Sequence, residues 1–109
     1  MTLRVLVYEP FGAGRGEIRE VPSEMPASLD AMQAIVGGYI EMVPLNEDRT
    51  LFAVVNEEGL LKGLPLNRYS GRLGFVGTFF VTRVSGEDNV SLSDEDVLKA
   101  RMAFDVLYS

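Results

Sequence analysis

The residue types with the most chemical reach gather between positions 56 and 68, where Asn56, Glu57, Glu58, Asn67 and Arg68 surround a framework of Gly59, Gly63 and Pro65. Short bends at the glycines and the proline bring amides, carboxylates and one guanidinium within reach of one another. The forked donor of Arg68 suits phosphate or carboxylate, and Asn56 or Asn67 can read a base edge or a sugar hydroxyl. Upstream, Gly37 and Gly38 offer backbone donors at the end of an expected helix. Together Asn56, Glu57, Asn67, Arg68, Gly37 and Gly38 define the expected site for a small anionic or nucleotide-like ligand, held without catalysis. The competing explanation is local: Asn side chains satisfy the backbone of turns, and an Arg in a turn pairs with a nearby acid.

Composition narrows the chemistry further. The 109 residues contain neither Cys nor His, which removes the thiolate nucleophile, the neutral-pH imidazole base and the usual ligands of zinc, haem and iron–sulfur centres. No cofactor, no metal and no catalytic residue is expected, and Glu57 or Glu58 acting as a general base is the enzymatic alternative that the composition leaves. Sixteen acids against ten bases give a net charge of −6, so nucleic acid is not an expected partner, because duplex binding draws on clustered Lys and Arg. The acids are scattered over turns and helix starts with Arg nearby, which fits a solvated surface better than a mimic of nucleic acid. The first residues lack the apolar core of a signal peptide and no apolar run approaches a membrane span, so a cytoplasmic chain without membrane contact is expected.

Hydrophobic residues at 47% and charged residues at 24% describe a chain that folds, and its length suits a single domain spanning residues 1–109. Leu3 to Tyr8 alternates as a strand, the loop from Pro10 to Gly16 carries three glycines, and Glu17 to Val21 is a weaker strand, so a hairpin is expected. After Pro22 and Pro26, Ser28 is placed to cap a helix whose apolar face is Leu29, Met32, Ile35 and Val36, and Gly37 and Gly38 end it. Tyr39 to Val43 and Leu51 to Val55 are strands, the second a central one. Leu60 to Leu66 is expected as a short strand or extended segment, Asn67 to Gly74 as a polar loop, and Phe75 to Val84 as one strand with a bulge or close backbone approach at Gly77. A turn at Gly86 to Asn89 leads to a terminal helix that starts at Ser93 and packs through Val97, Leu98, Met102, Phe104, Val106 and Leu107. The fold class is α+β: a small, mostly antiparallel sheet in the order ββαβββα, with one short central helix and one C-terminal helix.

Two further patterns have structural explanations. Gly12, Gly14 and Gly16 follow a strand, yet lead into another strand where a dinucleotide loop needs a helix N-terminus, so they are expected to form a hairpin loop in which Arg15 is at most a weak anion contact. Asp94, Glu95 and Asp96 are consecutive acids that point in different directions on a helix, which suits capping better than a magnesium or calcium site. Phe79 and Phe80 face opposite sides of a strand. They support a second class of function, a protein–protein interaction module that forms a homodimer or inhibits a host protein, using apolar strand surface from Phe75 to Val81 or the terminal helix.

Four segments, IVGGYIE at 35–41, NEEG at 56–59, LPLNR at 64–68 and GTFFV at 77–81, resemble a family known as domain of unknown function 3846, found in phages, mobile elements and bacteria. The resemblance runs from about Leu3 to Ser93, leaving the GAGRG loop and the final helix outside it. It implies one small domain, often encoded on mobile DNA, and assigns no reaction to any residue.

Overall fold

The computed structural model describes residues 1–10, 16–70 and 73–105. Along the chain these form β1 (Thr2–Tyr8), β2 (Glu17–Pro22), α1 (Ala27–Val36), β3 (Ile40–Pro44), β4 (Leu51–Asn56), β5 (Leu66–Ser70), β6 (Leu73–Val76), β7 (Phe79–Ser85), β8 (Asp88–Val90) and α2 (Asp94–Phe104). The main sheet runs β2-β1-β7-β4-β3, with β8 extending the β1 side of β7, and β5 and β6 form a separate two-stranded sheet. All pairings are antiparallel, so the chain is the expected α+β fold with one short central helix and one C-terminal helix.

The period-two alternation of β1 divides the interior in two. Leu3, Val5 and Val7 face α1, where Met32, Val36, Val54 and Phe80 complete one core. Leu6 and Tyr8 face the other way, into a core shared with Phe75, Phe79, Val81, Leu92, Val97, Ala100 and Phe104. Phe79 and Phe80 are therefore both fully buried, one on each face of β7. Four rings, Tyr8, Phe75, Phe79 and Phe104, stack or meet edge-on with centroids 5.0 to 5.6 Å apart and hold α2 and the β5–β6 hairpin onto this face. The strand surface from Phe75 to Val81, expected as a docking face, is thus interior: Phe75, Phe79, Phe80 and Val81 are all buried. On α2 the inner stripe is occupied and Leu98 and Met102 stay exposed on the outer side.

Local signals account for several element ends. Ser93 caps α2: its hydroxyl accepts from the Asp96 N–H at 3.1 Å while the Asp96 carboxylate accepts from the Ser93 N–H at 2.9 Å. Asp94 meanwhile pairs with Arg4 at 3.0 Å and Glu95 with Lys99 at 3.3 Å, so the three adjacent acids have three different partners, as capping predicts. Gly37 closes α1 in the left-handed conformation at φ 79°. Ser28 does not cap that helix. Pro26 already has helical dihedrals and occupies the cap position, which places Ser28 two residues past the cap, inside the first turn, buried, its hydroxyl donating to Met25 Sδ at 3.1 Å.

The region from residue 57 to residue 79 departs from expectation. The short strand or extended segment expected at Leu60 to Leu66 is instead mostly a compact turn over 57–63, closed by bonds from Lys62 N–H to Glu58 O at 2.9 Å and Leu64 N–H to Gly59 O at 3.0 Å. The expected polar loop after it is β5. The expected single strand from Phe75 is broken at Gly77, whose φ of +71° turns the chain out of the main sheet and which approaches so closely that a Cβ would lie 2.7 Å from Leu64 Cδ1. Upstream of the break, β6 pairs with β5; downstream, β7 becomes the central strand. The β1–β2 pairing bears out the hairpin, with Leu6 opposite Ile18 and Val7 opposite Glu17. Gly12, Gly14 and Arg15 of its loop, and Val106 and Leu107 beyond α2, lie outside the described residues.

Candidate functional site

The six residues expected to share a hollow are divided among three neighbourhoods. Asn56, at the end of β4, is buried against the end of α1: its amide donates to Val36 O at 3.1 Å, and its oxygen accepts from the Glu58 N–H at 2.8 Å. Gly38 lies directly over it, since a Cβ there would come within 2.9 Å of Asn56 Nδ2 and 3.4 Å of Lys62 Nζ. Both glycine amides are engaged, with Gly37 N–H and Gly38 N–H reaching Gln33 O at 2.8 and 3.1 Å. The shallow hollow beside them also holds Asp30, Glu58 and Lys62. Two carboxylates and the negative end of α1 face one ammonium there, a poor field for an anion.

Asn67 and Arg68 stand at a second neighbourhood, below α2. The Asn67 amide donates to Tyr8 O at 2.9 Å and Gly77 O at 2.8 Å, which fastens β5 to the end of β1 and to the β6–β7 break. Arg68 Nε donates to Phe104 O at 3.1 Å, Nη1 donates to Asn67 O at 2.9 Å and Oδ1 at 3.1 Å, and the guanidinium carbon sits 5.4 Å from the Tyr8 ring centroid. The Tyr8 hydroxyl in turn donates to Asp105 Oδ1 at 2.5 Å, and the same oxygen accepts from Gly16 N–H at 3.2 Å. Burial pushes the Tyr8 phenol up, and the bond to Asp105 and the charge of Asp105 push it further. It therefore stays protonated and keeps donating. These groups bind the C-terminal end of α2 to the sheet rather than facing solvent, and no spacing in the sequence connected Tyr8 with Asp105.

Glu57 belongs to a third place, a cleft of about 470 Å³ between the β3–β4 edge, the 57–63 turn and β6. The Asn56 side chain starts the turn by accepting from Glu58 N–H, and Glu57 N–H reaches Tyr39 O at 2.9 Å, ending the β3–β4 ladder. The turn leans on β6 through Gly59, where a Cβ would meet Val76 Cγ2 at 2.9 Å. Val43, Val55 and Phe75 form the apolar floor, Glu41 and Glu57 line the rim, and Leu60 and Leu61 form its crest at 82% and 88% exposure. Burying one such leucine contributes about 1.5–3 kcal/mol, and two adjacent exposed leucines above an apolar floor leave that stabilisation unrealised. Sequence reading missed it because a GLL run looks like buried strand. The available signal was Gly59 and Gly63 bracketing the leucines at turn spacing.

The cleft continues into the free edge of β3. Bonds from Leu45 N–H to Leu51 O at 2.8 Å and from Glu57 N–H to Tyr39 O fix the hydrogen-bonded pairs of the β3–β4 register. By alternation Glu41 and Val43 also turn their backbone groups toward β4, which leaves Ile40 N–H and C=O, Met42 N–H and C=O, and Pro44 C=O pointing outward. The opposite edge of the sheet is guarded differently. On β2, Arg19 pairs with Glu9 and Glu17, each at 3.2 Å, Glu20 accepts from Thr2 at 2.9 Å, and Pro22 ends the strand. The charged side chains of Arg19 and Glu20 disfavour strand addition at β2; β3 also ends in a proline, Pro44, but carries Ile40, Met42 and Val43 with one acid.

Among the described residues no cluster of three potential metal ligands occurs, and no helix is long and apolar enough to cross a membrane. No curated protein and no solved structure matches the chain. The family described as Domain of unknown function (DUF3846) matches residues 1–105, taking in the hairpin loop and terminal helix that the four sequence segments leave out, and the chain belongs to that family.

Proposed function

We propose that the protein is a non-catalytic interaction module whose binding face is the open edge of β3 together with the adjoining apolar cleft. The observation that carries this is the exposure of Leu60 and Leu61 over a floor of Val43, Val55 and Phe75, next to outward-facing backbone groups of Ile40 and Met42. Apolar surface of this kind beside an unpaired edge is what protein partners occupy. A small-anion site finds less support: the donors of Asn56, Asn67, Gly37 and Gly38 are already bonded, and Arg68 is spent on Phe104 O, Asn67 and the Tyr8 ring. The phage or mobile-element setting that the family resemblance implies makes a host protein a natural candidate.

The test is comparative capture from native-cell lysate by the wild-type chain and by the Leu60→Ser/Leu61→Ser variant. Both chains should melt at similar temperatures, since the leucines are exposed. A specific protein retained by the wild type and lost by the variant is the expected result. A set of captured proteins identical for the two chains, or a thermal response of both to phosphate and nucleotides, argues for another function.

A further inference from the structure

The interaction reading says where a partner docks; the geometry of the edge also says in what form. We infer that the partner enters as an extended segment added to β3 as a new strand, and that the segment is apolar with a Lys or Arg opposite Glu41. This rests on the cleft and edge being the binding face, and adds the partner's conformation and charge.

Three observations lead to it. First, the outward groups are spaced for a strand: Ile40 and Met42 each offer a donor and an acceptor two residues apart, and Pro44 adds an acceptor. Second, the two faces of such a strand would meet different surfaces. Residues opposite Ile40 and Met42 continue the α1 face, where Ile40 packs on the core with Val36 and Val54. Residues opposite Glu41 and Val43 continue the cleft face, where Val43 packs toward Val55 and Phe75. Third, Glu41 and Glu57 both line the cleft, are exposed, and have no ion-pair partner among the described residues. A cation on the guest strand complements them.

The same charges disfavour a second copy of this chain. Antiparallel self-pairing centred on Met42 would put Pro44 opposite Ile40, where the missing N–H leaves the Ile40 carbonyl unbonded. It would also bring two sets of Glu41 and Glu57 together, on chains that each carry a net charge of −6.

The experiment titrates the ¹⁵N-labelled 109-residue chain with a short synthetic peptide centred on valine-valine-lysine-valine. The controls are the same peptide with glutamate in place of lysine and one with alternate backbone nitrogens methylated. The expected result is slowed amide exchange at Ile40 and Met42 with the lysine peptide, binding weaker by on the order of tenfold for the glutamate peptide as attraction becomes repulsion, and none for the methylated one. Glu41→Lys, an exposed substitution that leaves the fold intact, should reverse the preference between lysine and glutamate peptides. Equal affinity for the two peptides, or undiminished binding of the methylated one, overturns strand addition. So does a concentration-dependent dimer in sedimentation that protects Ile40 and Met42 without peptide. Loss of partner capture in the leucine variant, with Ile40 and Met42 unaffected by every peptide, would sink strand addition while leaving the binding face in place.

Discussion

Replacing Arg68 by Ala separates a structural role from a ligand-binding one. In the wild-type chain its guanidinium donates to Phe104 O at 3.1 Å and to both oxygens of Asn67, and it covers the Tyr8 ring. The bond to Phe104 O is charge-assisted and lies at the last residue of α2, where an unsatisfied carbonyl gains most from a cation. Such a bond contributes about 1.5–3 kcal/mol, and the ring contact about 0.5–1 kcal/mol. The contacts to Asn67 add little, because the two residues are adjacent in the chain. The expected loss is about 2–4 kcal/mol, equivalent to a fall in Tm of roughly 8–20 °C for a domain of this size. Calorimetry and urea unfolding should agree, with a lower midpoint at unchanged m. Arg68→Lys should recover only part of the loss, since one ammonium cannot reach Phe104 O and Asn67 together. A fall below about 3 °C, within reach of an ordinary surface substitution, would refute the structural role and return Arg68 to the list of ligand contacts.

Other substitutions test other joints. Asp96 is mostly buried and titrates below the usual 3.8: burial alone would raise it, but the Ser93 backbone and hydroxyl and the nearby Arg83 outweigh burial and hold it down. Its contribution is therefore fully present above the unfolded value and lost as pH falls through the lower folded one, so Asp96→Asn should be destabilised at pH 7 with the gap to wild type closing under acid, read from urea midpoints across pH. Thr82 is fully buried in β7, and its hydroxyl has no hydrogen-bond partner among the described residues; Thr82→Val should raise stability by about 1 kcal/mol in the same assay. Gly77→Ala should cost about 1–2 kcal/mol, because φ is +71° and a Cβ there is disfavoured; an unchanged Tm would show that the β6–β7 break does not need glycine.

Much of the scaffold was legible because its signals are local. Ser93 followed three residues later by Asp96 is a capping box, Gly37 supplies the left-handed end of α1, and the alternation of β1 assigns Val5 and Leu6 to opposite cores. Ser28 misled because the cap is Pro26, two residues earlier, a shift that the capping preference of serine does not reveal. The 57–79 region misled because its hydrophobic pattern is indifferent to φ at Gly77: one sign continues a strand, the other starts a second sheet. The grouping of Asn56 with Arg68 failed for a related reason. Spacing along the chain placed both beside bends, but Asn56 ends a main-sheet strand and turns to α1, whereas Arg68 lies on β5 and turns to α2. Only the strand order separates them. Leu60 and Leu61 were hidden by their own hydrophobicity, since composition argues for burial and only the turn puts them outside.

The central claim is that partners meet this chain at the β3 edge and its cleft, and photo-crosslinking inside the native cell tests it most directly. A photoreactive residue replacing Leu61 is compared with one replacing Glu20 on the guarded β2 edge. Adducts to a defined protein from position 61, absent from position 20, are the predicted result. Equal adducts from both positions, or adducts from position 20 alone, would contradict the claim.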